Sequence, residues 1–91
     1  MGGELYIEGK SKNIDNHMKS TIINIMNDAY TNDKSNDFIT KKCQIAFGGS
    51  WILIHHRKSQ CDFEMSFASE SLKWIKFKRG YHYYALFQIS E

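Results

Sequence analysis

The sequence predicts an α+β domain: two helices packed on an antiparallel β-sheet, in the order β-α-α-β-β-β-β. Three observations predict it. Apolar residues recur every three to four positions up to residue 47, which is the helical period. From Trp51 onward the period falls to two, in four segments, WILIHH, CDFEMSF, LKWIKFK and HYYALFQI. The chain has no proline, so every strand residue keeps the N–H that a sheet ladder needs.

Leu5-Tyr6-Ile7 is β-prone and ends at Gly9, enough for one edge strand. Asn13 or Asp15 then caps a helix, since a short side-chain oxygen accepts from first-turn amides. Met18, Ile22, Ile25, Met26 and Ala29 form one face of that helix, expected from about residue 15 to 31. Its opposite face carries Lys19, Asn24, Asn27 and Asp28. Thr31 to Asn36 is polar and turn-rich, and Asp33, Ser35 or Asn36 can cap a second helix. Ile39, Cys43, Ala46 and Phe47 give that helix its apolar face, and Gly48-Gly49 ends it. The short link makes the two helices roughly antiparallel.

Cys61, Phe63, Met65 and Phe67 alternate with Asp62, Glu64 and Ser66, a half-buried strand pattern. Leu72 to Lys78 follows as a strand, Arg79-Gly80-Tyr81 turns the chain, and His82 to Ile89 closes it. The 91 residues make one domain, with residues 1–3 expected outside its ordered part. A chain of this size buries only about 60–65% of its unfolded surface, so a dimer interface would be a natural supplement.

Bulk chemistry excludes several classes. Apolar content of 42% is too high for a disordered chain, and a net charge of +2 is too small to argue for nucleic acid. No stretch of about 18 apolar residues exists to span a membrane, and no basic segment leads an apolar leader. Met1-Gly2 lacks the Ser or Thr at position six that myristoylation wants; Tyr6 stands there. Cys43 and Cys61 lack a Cys-x-x-Cys spacing and read as reduced thiols, so a cytoplasmic protein is expected.

The residues that could carry catalysis are poorly placed for it. His55 and His56 are adjacent on a strand, point to opposite faces and cannot grip one ion together, so no metal and no cofactor is expected. Gly48-Gly49 follows a helix and precedes a strand, the reverse of a phosphate loop. Asp62 and Glu64 share a strand face as solvated carboxylates do. Lys73, Lys76, Lys78 and Arg79 beside Tyr81, Tyr83 and Tyr84 could stack nucleobases, yet Tyr83 alternates with Ala85, Phe87 and Ile89, which reads as core or interface. No enzyme is expected.

What remains is a sheet with more apolar surface than two short helices cover. Leu72 and Trp74 face one way, Ile75 and Phe77 the other; Trp51 and Leu53 oppose Ile52 and Ile54. A sheet with two apolar faces needs both covered, and a symmetric second copy is the economical cover. A remaining strand edge can accept an extended peptide.

This order of elements resembles the eight-kilodalton dynein light chain family over nearly the whole chain. The best local match is FITKKCQIAFGGSW, Phe38 to Trp51, with paired lysines Lys41-Lys42, an aromatic Phe47 before a two-residue break, and Trp51. Tyr30 with Asp33-Lys34 resembles the acidic-lysine pair at the start of the second helix. WIKFKRGYHYYALFQI resembles the apolar strand, glycine turn and final strand, with Gly80 on the turn glycine, and Arg57 falls on the arginine that ends the Trp-led strand. The resemblance implies a strand-swapped homodimer with two grooves that take linear motifs as an added strand. It places the groove on Lys58, Ser59, Gln60, Cys61, Asp62, Phe63 and Glu64, with Asp33 and Lys34 reading a polar motif side chain and Lys76 and Lys78 where the family has tyrosines. A preference for acidic peptides follows from those lysines. Trp51, Ile52, His55, Cys61, Phe63 and Met65 are the expected dimer contacts. The implied partner is a dynein intermediate chain or another disordered motif-bearing chain, in a microtubule motor complex of the cytoplasm. A dynein-independent hub and a small nucleic-acid-binding module are the alternatives.

Overall fold

The computed structural model describes residues 4–57 and 72–90. Its elements run β1 (Tyr6–Lys10), α1 (Asn16–Thr31), α2 (Asn36–Phe47), β2 (Ser50–Arg57), β3 (Lys73–Arg79) and β4 (His82–Ser90). The described strands form one antiparallel sheet in the order β1-β3-β4-β2, with both helices on one face. The strand expected at Cys61 to Phe67 lies outside the described residues.

Each helix starts and stops for a local reason. Asp15 caps α1: its Oδ1 accepts from the Met18 amide at 2.8 Å, a contact worth about 1 kcal/mol. At the other end the Asp33 amide donates to the Tyr30 carbonyl and the Lys34 amide to the Ala29 carbonyl. Those two bonds define a Schellman stop, which needs a left-handed residue after the cap. Asp33 takes that conformation at φ 54, where glycine is usual. The stop fixes where Asp33 and Lys34 stand. α2 ends at Gly48, φ 78, whose amide donates to the Gln44 carbonyl.

β1 runs past Gly9 to Lys10, further than the glycine suggested. Glu8 is a bulge, since Ile7 pairs Phe77 while Gly9 pairs Lys76. A Cβ at Gly9 would stand 3.5 Å from the Trp74 ring, an ordinary packing contact. Gly80-Tyr81 joins β3 to β4 as a two-residue hairpin, with positive φ only at Gly80, as a II′ turn requires.

The core lies between the helices and one sheet face. Ile22, Met26 and Ala29 of α1 and Ile39 and Cys43 of α2 meet Trp51, Ile75, Phe77 and Leu86. Ala46, expected on the apolar stripe of α2, is exposed, because the sheet reaches only the Ile39–Cys43 side. Ile14, which no periodicity marked, is fully buried just before α1, and its carbonyl accepts from the Lys10 ammonium at 2.9 Å.

Candidate functional site

The strand registers sort the sheet residues into two surfaces. On the face away from the helices, β3, β4 and β2 give three cross-strand rows: Lys78, Tyr83 and His56; Lys76, Ala85 and Ile54; Trp74, Phe87 and Ile52. Among the described residues no helix covers these rows, and Ile52 and Ile54 are 38% and 39% exposed. Lys76 lies 6.0 Å from the Trp74 ring and Lys78 5.7 Å from the Tyr83 ring, while His56 stacks on Tyr83. The surface is an apolar stripe with a basic flank. β2 is outermost in the sheet. It pairs β4 on one side, and among the described residues no strand pairs its other edge.

On the helix side, alternation carries polar residues inward at one end of the sheet. Arg79, His82 and Arg57 form the last row, next to the row of Phe77, Tyr84 and His55. With the α1 stop and the start of α2 they enclose a cavity of about 540 Å³, which Tyr30, Asp33, Lys34 and Asn36 also line. Arg79 is 5% exposed. Its guanidinium lies 4.0 Å from the Tyr30 ring centre, and its Nη2 donates to the Asn27 side chain. Its Nε–H is buried with no acceptor among the described residues. Ser35 stands at the N-cap of α2, and its side chain makes no capping bond.

His55 joins the two helix-side rows to α2. The Asn36 Nδ2 donates to His55 Nδ1 at 3.2 Å, so the ring proton sits on Nε2, which donates to His82 Nδ1 at 2.9 Å. The His55 ring also stacks on Tyr84 at 4.4 Å. Burial holds the His55 pKa below its ordinary value, and the charges of His82, His56 and Arg57 push the same way. A depressed histidine pKa means that the folded state binds fewer protons than the unfolded chain between the two pKa values. The stability this gives is full above about pH 6.5, the unfolded value, and is lost as the pH falls through that value toward the folded one. The groups facing the ring are His82, Asn36, Arg57 and Tyr84, with Lys34, Arg79 and Asp33 across the cavity. The wild-type urea midpoint should therefore fall relative to that of His55→Phe between pH 7.5 and 5. A constant gap would sink this reading.

The expected site residues divide between these surfaces. Asp33 and Lys34 line the helix-side cavity, whereas Lys76 and Lys78 lie on the opposite face, so one chain alone does not bring them together. Ile52 is on the open face. Trp51 and His55 are not: Trp51 is 8% exposed in the chain's own core, its indole donating to the Gly48 carbonyl at 2.9 Å. Lys58, Ser59, Gln60, Cys61, Asp62, Phe63, Glu64 and Met65 lie outside the described residues. The basic run is split, with Lys73 and Arg79 on the helix side and Lys76 and Lys78 on the other. Cys43 is fully buried, and burial pushes its thiol pKa up to about 12, which leaves no thiolate at neutral pH. The sequence reading passed over Arg79, His82 and Asn36 as cavity residues. The signal was a run of polar residues at inward-facing positions where the strands end.

No family model and no curated protein sequence matches this chain. Among solved structures it is similar to the DLC like domain of CsTAL3, at 13% identity and a TM-score of 0.66. The match covers 96% of this chain and 94% of that one. Two helices on a four-stranded antiparallel sheet, in this order and with this likeness, make the fold dynein light chain-like.

Proposed function

We propose that the chain is a non-catalytic light-chain subunit or hub, a divergent relative of the eight-kilodalton dynein light chains. It pairs with a second copy and binds short linear motifs of disordered partners by strand addition, a dynein intermediate chain being the partner that the resemblance implies. The carrying observation is β2, among the described residues an outermost strand of eight residues beside an apolar face that no described helix covers. An unpaired strand edge is a ready template for a further strand, and an apolar face beside it gives that pairing area to bury. A second copy is also what would join Lys76 and Lys78 to another protomer's Asp33 and Lys34, which one chain holds apart. Two grooves in one dimer make the second motif's binding intramolecular, so avidity rises without new contacts. The expected setting is the cytoplasm, with no cofactor.

Light scattering across a concentration series at pH 7.5 tests this. The expected mass is about twice the 10.7 kDa of the chain. A monomer at every concentration would remove the paired grooves and, with them, the bivalent mechanism.

A further inference from the structure

We infer that the helix-side cavity is a binding site for a phosphate monoester. Three cationic side chains line it, Lys34, Arg57 and Arg79, against one carboxylate, Asp33. Arg79 carries the argument. An arginine stays charged at any working pH, and a buried charge without a counter-charge is costly to keep. Its guanidinium has an amide oxygen and an aromatic ring for company, and its Nε–H lacks an acceptor. The ion pair found among the described residues, Lys41 with Asp37, lies on the exposed side of α2. The structure thus keeps a desolvated cation with no carboxylate bonded to it at a cavity wall, which is how anion sites are built.

The surroundings favour phosphate over a single carboxylate. Ser35 makes no side-chain cap on α2, whose first residue Asn36 lines the cavity, and a helix N-terminus prefers negative charge. Two guanidiniums, an ammonium and a helix end exceed what one carboxylate can use. They suit a group with three terminal oxygens and close to two negative charges at neutral pH. The volume of about 540 Å³ leaves room for the alcohol portion of an ester, with Tyr30, Tyr81 and Tyr84 as walls. The site lies within one chain and does not depend on dimerisation.

Nuclear magnetic resonance titrations of the full chain with phenyl phosphate, glycerol phosphate, inorganic phosphate and benzoate test this. With either ester, shifts should concentrate on the Arg79 guanidinium, Arg57, Lys34 and His55. Arg57→Gln, at an exposed strand end, should weaken ester binding about tenfold, and Asp33→Asn should strengthen it. Arg79→Met should abolish it; if that variant does not fold, Arg57→Gln and Asp33→Asn still decide. Benzoate binding as tightly as phenyl phosphate overturns the assignment to phosphate. Inorganic phosphate binding as tightly as both esters overturns the assignment to an ester. Shifts spread over Lys19, Lys41 and Lys42, or indifference to Arg57→Gln, overturn the site itself. N-acetyl-phosphotyrosine amide binding more tightly than phenyl phosphate assigns the ester to a modified side chain on a partner, and the reverse order to a free small molecule; both orders support the site.

Discussion

Phe77→Ala should cost about 3–5 kcal/mol and leave the domain at the margin of folding. Phe77 sits midway along β3, between Ile7 of β1 and Tyr84 of β4, and is 1% exposed. It belongs to the cluster in which both helices meet the sheet, so truncation removes packing against both layers at once. Native domains keep only about 5–15 kcal/mol, and one of this length stands near the lower end. In a domain of this size each kcal/mol moves the melting point by about 4–8 °C, so the drop should reach at least about 12 °C. Phe87→Ala is the matched comparison: same residue type, same sheet, but half-buried on the open face. In dilute solution, where association is weak, it should cost clearly less. Circular dichroism melts of the two variants at micromolar concentration give the answer. Equal losses would mean that the open face is as much a core as the helix face, and the two-sided reading of the sheet would fail.

The elements were legible because two periods write them plainly. Met18, Ile22 and Met26 mark one helix, Ile39 and Cys43 the next, and the alternation of Trp51 to Arg57 and of His82 to Gln88 settles which residues share a face. That alternation also separated His55 from His56, as the structure places them: one stacks on Tyr84, the other on Tyr83. What alternation does not give is which face the helices cover. Trp51 was expected at an interface and stands in the core, because helix packing takes the odd-numbered residues of β2. The cavity was illegible for a related reason. Arg79, His82 and Asp33 are distant in sequence, and a Schellman stop, a hairpin and a strand end meet only once the sheet order is known. Polar residues at strand ends read as solvated; here the helix ends roof them over.

Ile54→Lys should abolish self-association while leaving the fold of the single chain intact. Ile54 lies in the middle row of the open face, opposite Ala85, and is already 39% exposed, so the ammonium of a lysine there reaches water in the monomer. In a dimer that uses this face, the same ammonium would be buried against apolar rows with no carboxylate opposite it. Leaving a charge buried and unpaired costs about 3–5 kcal/mol, which raises a dimer dissociation constant by about a hundredfold or more. Ile45→Lys is the control. Ile45 is 79% exposed on the outer side of α2, remote from the open face, and should change neither mass nor melting point. Sedimentation equilibrium reads the constants, and circular dichroism at low concentration checks the fold. Should Ile54→Lys associate like wild type, the open face is not the dimer surface. If Ile45→Lys alone breaks the dimer, the contact runs through the helices, and the strand edge of β2 stays available for a partner of a different kind.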